Sequence, residues 1–219
     1  MTKLLNIFLL LILAGGLVRI FVQASVLKDL REEHRRLTAV HGELDVKDPS
    51  KFLVTGVDTG DSQHFKWRIF VPAGVTVQER VGFKVQASGG GSTRTDAHET
   101  TLQVRFDFSQ QDKLVDHVLG AGRDRMRSFD HHQDVTAFLK EHWNELDKIL
   151  LGDQGPVEVP LDRPLELLTI RVPLNLHAEF EKRVGEGSVS FYNPVYQVVH
   201  GTPAAFKWLD KRNAEKTGE

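Results

Sequence analysis

Hydrophobic and polar positions follow three successive patterns along the chain. The first is a nearly unbroken apolar run: residues 4–18 carry one polar side chain, Asn6, then Arg19 interrupts and Ile20, Phe21 and Val22 resume. Residues 4–22 match the ~20 residues that a helix needs to cross a hydrocarbon core of ~30 Å. Asn6 and Arg19 lie near its ends, where polar groups reach the headgroups. The competing reading is a cleaved signal peptide, with Lys3 as the positive flank and Val22-Gln23-Ala24 before Ser25 as the cleavage site. Because the helical pattern runs through that site without a break, the expectation is an anchor over residues 1–24.

The second pattern is a heptad. Val26, Leu30, Leu37, Val40 and Leu44 fall at alternating spacings of four and three, with Glu33 at the inward position that breaks the stripe. Glu and Arg three or four apart support the helix between them. Residues 25–47 are therefore predicted to form a short coiled-coil stalk that dimerises or docks on a partner helix. Asp48-Pro49-Ser50 stops it, because the residue before proline is pushed out of the α region.

From Lys51 the period becomes two. Phe65, Trp67, Ile69 and Val71 share one face of a strand, with Lys66, Arg68 and Phe70 on the other. Pro72-Ala73-Gly74 turns the chain into a second alternating run from Val75 to Ala87, and the two are predicted to pair as a hairpin. Glu79 is out of character in that run, and Gly82 marks a bulge. Further strands are expected at residues 100–108, 114–119, 157–160, 165–172, 188–192 and 195–200. One long helix over residues 134–150 stripes Val135, Phe138, Leu139, Trp143, Leu146, Ile149 and Leu150, opened by the Asp130/Gln133 pair and closed by Gly152. A short helix is expected at 203–212. Strands arriving in runs, without regular alternation with helices, predict an α+β domain over residues 48–219: a mainly antiparallel sandwich or half-barrel with the long helix packed on it.

Composition narrows the function classes. The 28 basic and 30 acidic side chains nearly cancel, so no global field draws nucleic acid. Cysteine is absent, which removes disulfides, thiol nucleophiles and thiolate metal sites. Orientation is contested by two rules. Lys3 stands before the apolar run against Lys28, Arg31, Arg35 and Arg36 after it, and the positive-inside rule would keep the domain in the cytoplasm. A short-tailed N-terminal apolar segment is, however, the usual signal for translocation, and the far-side charges are interleaved with Asp29, Glu32 and Glu33. The expectation is an extracytoplasmic domain on a single-pass membrane anchor.

Candidate chemistry is thin. Asp130, His131, His132 and Asp134, with His142 and Glu145 beyond, offer imidazole and carboxylate groups that suit a divalent metal. His132 and His142 would nevertheless lie ~80° apart around a helix of ~3.6 residues per turn, and the bland reading is a polar helix start. Gly89-Gly90-Gly91-Ser92 lacks the lysine and following helix of a phosphate cradle and reads as a hairpin loop. Gly120-Ala121-Gly122 with Arg123, Arg125 and Arg127 is the most basic patch and reads as a solvated turn. Trp67 and Trp143 read as core, whereas Tyr192, Tyr196 and Trp208 sit among loop signals and are candidates for an exposed binding surface. No GxSxG elbow is present. The sequence therefore predicts a protein without cofactor or small-molecule substrate, partnered by the bilayer and by a protein or a second copy through the stalk. It would act as a non-catalytic scaffold in an envelope process; the alternatives are a carbohydrate- or cell-wall-binding module and a hydrolase or metal protein using His131/His132.

Overall fold

The computed structural model describes residues 16, 19, 23, 26–28, 30, 44–82, 92–109, 114–120, 123–129 and 133–217. The chain divides into two units, Met1–His41 and Gly42–Glu219. In the first, Gly16, Arg19, Gln23, residues 26–28 and Leu30 are helical; Val26 and Leu30 are 51% and 61% exposed. The remainder of the expected span, together with Leu37 and Val40 of the expected stalk, lies outside the described residues. Leu44, the last heptad position, carries no helical structure. Among the described residues no helix is long and apolar enough to cross a membrane.

The second unit is α+β, with antiparallel sheets and few helices. In chain order its elements are β1 (Phe52–Val57), β2 (His64–Val71), β3 (Thr76–Gly82), β4 (Ser92–Thr93), β5 (His98–Asp107), β6 (Leu114–Gly120), β7 (Arg123–Phe129), α1 (Gln133–Glu141), β8 (Asp147–Leu150), β9 (Val157–Val159), β10 (Leu165–Arg171), a 3-10 turn (Leu174–Leu176), α2 (His177–Val184), α3 (Ser188–Tyr192), β11 (Tyr196–Gly201) and α4 (Pro203–Thr217). One sheet has the order β7-β6-β5-β2-β1-β9, the other β4-β3-β11-β10-β8.

Alternation in the strands sets which side chains meet. Phe65, Trp67, Ile69 and Val71 of β2 join Phe52 and Val54 of β1, Leu102, Val104 and Phe106 of β5, and Tyr196 and Val198 of β11 in one buried cluster. Both sheets thus contribute to a single core, which Val135, Phe138 and Leu139 of α1 and Phe180 of α2 extend. Burying each such side chain contributes about 1.5–3 kcal/mol. The Phe106 and Tyr196 rings cross from one sheet to the other at 4.8 Å, edge to face. The bend after β8 is tied to the first sheet by the Trp67 indole N–H, which donates to the Leu151 carbonyl at 3.1 Å, and by the Gly56 N–H, which donates to the Gly152 carbonyl at 2.9 Å. Gly152 has φ +82°, and a Cβ there would come within 2.9 Å of the Gly56 nitrogen, so glycine is required at this approach.

Several expectations are corrected. β2 and β3 do not pair: β2 lies between β1 and β5, while β3 pairs with β11 and β4. The turn at Pro72-Ala73-Gly74 therefore carries the chain from one sheet to the other. Alternation reports a strand's faces and is silent about its partners. The long helix stops at Glu141. Residues 142–146 turn, with the Glu145 and Leu146 N–H groups both donating to the His142 carbonyl, and Asp147–Leu150 becomes β8 against β10. Trp143 and Leu146 stay in the core, but Ile149 is 51% exposed, because in a strand it faces away from the stripe. Residues 188–192 form α3 where a strand was expected. The basic stretch read as a solvated turn is β7, an edge strand whose Arg123 pairs in register with Gly120; its lack of apolar alternation hid it. Finally, α4 runs to Thr217, five residues past the expected end. Its start is clear: the Thr202 hydroxyl accepts from the Ala205 N–H at 3.1 Å, with Pro203 as first helical residue.

Candidate functional site

Three groups of polar side chains in the domain are placed tightly enough to argue from. The first is interior. Tyr196 donates its hydroxyl proton to Asp116, both buried between the sheets. His200, next along the inner face of β11, is 1% exposed, and neither ring nitrogen has a hydrogen-bond partner. Glu79 Oε1 lies 3.7 Å from His200 Nδ1, beyond useful hydrogen-bond range. Burial therefore decides the ring's state: loss of solvation, with a smaller repulsion from His98, pushes its pKa down to about 4 and holds it neutral.

The second group joins α1 to α2. His142 follows the last turn of α1 and points its Nδ1 at Glu145 and its Nε2 at Glu179, each at 3.0 Å. Burial opposes charge on this ring, but the hydrogen bonds to the two carboxylates outweigh it and raise the pKa above the ordinary value. Two carboxylate acceptors at two ring nitrogens require the doubly protonated imidazolium. Arg183 of α2 completes the clasp, donating to Glu141 at 2.7 Å and lying 4.0 Å from Glu179; its guanidinium also sits over the Phe138 ring at 5.8 Å. Glu141, His142 and Glu179 present their ligand-type atoms within 4.8 Å of one another. Arg183 already neutralises part of that carboxylate charge, so the arrangement is satisfied as an ion-pair clasp.

The third group lies on the outer face of the six-stranded sheet. In the ladder β2-β5-β6, His64 pairs with Arg105 and Arg105 with His117. Directly opposed residues of antiparallel strands have Cβ atoms about 5 Å apart, so two imidazoles flank one guanidinium in a row. The row lines a solvent-open concavity of about 450 Å³, which Gln63, Gln103, Asp107 and Leu119 complete. His64 Nε2 and Gln103 Oε1 are 3.3 Å apart. Asp107 is braced by the Ser109 N–H at 2.8 Å, and its pKa is lowered chiefly by Ser109, with smaller contributions from His117 and Arg105. Among the described residues, neither Arg105 nor His117 makes a hydrogen bond or ion pair with another side chain.

Comparison with protein-family models, curated proteins and solved structures returned no match. The site is therefore read from its own geometry.

The sequence candidates are scattered. Asp130, His131 and His132 lie outside the described residues, and Asp134 is exposed in the first turn of α1. Tyr196 is 1% exposed and committed to Asp116, so the expected exposure does not hold for it. Tyr192 closes α3, with its backbone alone described. Trp208 is half-buried between two arginines, Arg163 at 4.1 Å and Arg212 at 4.9 Å from its ring, which gives it a place in fastening α4. Sequence reasoning missed His64, Arg105 and His117; of the clasp it named His142 and Glu145 but not Glu141, Glu179 or Arg183. Arg105 and His117 each sit between inward-facing neighbours, which marks them as outward; their adjacency depends on register, for which the sequence carries no signal.

Proposed function

We propose that this chain is a single-pass, membrane-anchored interaction protein. Residues 1–24 are the anchor, residues 25–47 a stalk that dimerises or docks through the heptad positions Val26, Leu30, Leu37 and Val40, and residues 48–219 an extracytoplasmic scaffold domain without catalysis of its own. The two sheets around one core read as a sandwich with α1 packed against it. The observation that carries the non-catalytic reading is how the buried polar groups are used. Tyr196 joins β11 to β6, and His142 joins the end of α1 to α2; the strongest polar contacts bind elements of the domain to one another. The anchor reading is supported by the length and apolarity of residues 4–22, followed at once by the heptads.

The absence of cysteine makes the test clean. Asp162→Cys, at an exposed turn, is labelled in intact cells with a membrane-impermeant maleimide, and membranes are fractionated in parallel. Labelled protein retained in the membrane fraction is the expected outcome. Labelled but soluble protein means cleavage behind the apolar run, and labelling only after lysis places the domain in the cytoplasm; either result overturns the reading.

A further inference from the structure

We propose that the concavity on the outer face of the six-stranded sheet binds an oxyanion, a phosphate or carboxylate group carried by a small molecule, held by Arg105 between His64 and His117.

Three observations point the same way. Most described arginines on this domain's elements are already paired: Arg68 with Glu99, Arg80 with Asp210, Arg183 with Glu141 and Arg212 with Glu166. Arg105, like Arg171 of the other sheet, is exposed and, among the described residues, without an ion pair, but Arg105 is the one that lines the hollow. A guanidinium offers a planar fork of donors that matches two oxygens of a phosphate or carboxylate. Register then places an imidazole on each side of it, because His64 and His117 are its cross-strand partners on β2 and β6. The His117 imidazole has at least one N–H to donate in any protonation state, whereas His64 gives its Nε2–H to the Gln103 amide oxygen and adds a donor, Nδ1–H, only as the imidazolium. Lastly, the row lines a hollow of about 450 Å³, within the ~300–1,000 Å³ range of small-molecule sites. Gln103, whose amide oxygen faces His64, keeps its amino group for a further donor role.

Asp107 sets the selectivity. Its carboxylate stands in the same hollow, held in place by Ser109. It offsets one positive charge, so the site favours a compact oxyanion seated on the Arg105 fork over a polyanion spread across the face. A hydroxyl on the ligand would find its acceptor at Asp107.

The test uses the full chain in detergent, titrated with inorganic phosphate and separately with citrate, with chloride holding ionic strength constant, and read by isothermal calorimetry. One saturable site for at least one probe is expected. Arg105→Ala is expected to weaken it about tenfold or more, as loss of a charge-assisted bidentate contact does, and Arg105→Lys by an intermediate factor because the charge stays while the fork is lost. Asp107→Asn is expected to tighten binding about threefold. Arg171→Ala, which removes an exposed arginine of the other sheet, leaves it unchanged. No saturable binding of either probe overturns the proposal; so does binding that Arg105→Ala leaves within about twofold of wild type, or that Arg171→Ala weakens equally. Arg105 is exposed, so its variants test the site without disturbing the core. The outcome is independent of whether the chain is anchored.

Discussion

The outer faces of the two sheets are finished in different ways. On the five-stranded sheet, α4 lies across β3, β10 and β11: Phe206 and Leu209 pack on Val199. Arg80 reaches up from β3 to stack on Phe206 at 4.4 Å and pair with Asp210, and Arg212 reaches down to Glu166 at 2.7 Å. Arg80 and Arg212 there each have both an aromatic ring and a carboxylate facing them. On the six-stranded sheet the His64–Arg105–His117 row faces an open hollow. Arg80 and Arg212 thus serve as fasteners on one sheet, while Arg105 remains available on the other. Their role is decided by what the topology lays over them.

The comparison breaks most visibly if the covering helix is loosened. Phe206 is 2% exposed under α4, and Phe206→Ala is expected to cost about 3–5 kcal/mol, the usual range for a buried phenylalanine. Lys66→Ala, on the outer face of β2, is expected to stay within about 0.5 kcal/mol, as uncommitted surface positions do. Urea midpoints followed by tryptophan fluorescence check both; equal costs would mean that the two faces are finished alike.

Acid attacks the core behind the covered sheet. His200 has a folded-state pKa of about 4 against 6.5 for the free side chain, so between these values the unfolded chain binds a proton that the folded chain refuses. Its contribution is fully present above pH 6.5 and is lost as pH falls toward 4, by about 3 kcal/mol at ~1.4 kcal/mol per pH unit. His200→Leu is expected to remove this part of the acid slope, measured as the difference in urea midpoint between pH 7 and pH 4.5. An unchanged slope would show that burial does not hold His200 neutral in the folded state.

The part of this plan visible in the sequence is the part that depends on local period. Phe65, Trp67, Ile69 and Val71 declared their face by alternation, and Thr202-Pro203 declared the start of α4. Trp143 and Leu146 misled because both are buried whether the helix continues or turns, and the hydrogen-bonding edge of β10 that pulls residues 147–150 into a strand is supplied by tertiary structure. The site was less legible for the same reason. His142 meets Glu179 across 37 positions, and the Arg105 row exists only once β2, β5 and β6 are in register. Titratable residues could be counted along the chain, but their neighbours could not.

A smaller effect sharpens the contrast between the two structural histidines. The pKa of His142 is raised, so the clasp contributes fully below the ordinary histidine pKa and is lost as pH rises through the raised value, opposite in sign to His200. His142→Gln keeps one donor and loses the charge. With Glu145 and Glu179 half exposed, solvent screening limits the expected cost to about 1 kcal/mol at pH 6. The cost should shrink toward zero in alkali, where wild-type His142 is neutral as well. Urea midpoints of wild type and variant at pH 6 and pH 9 decide it: converging curves place a charged imidazole between the helices, whereas a constant gap would reduce His142 to a packing residue against Phe138, whose ring centroid lies 4.5 Å away.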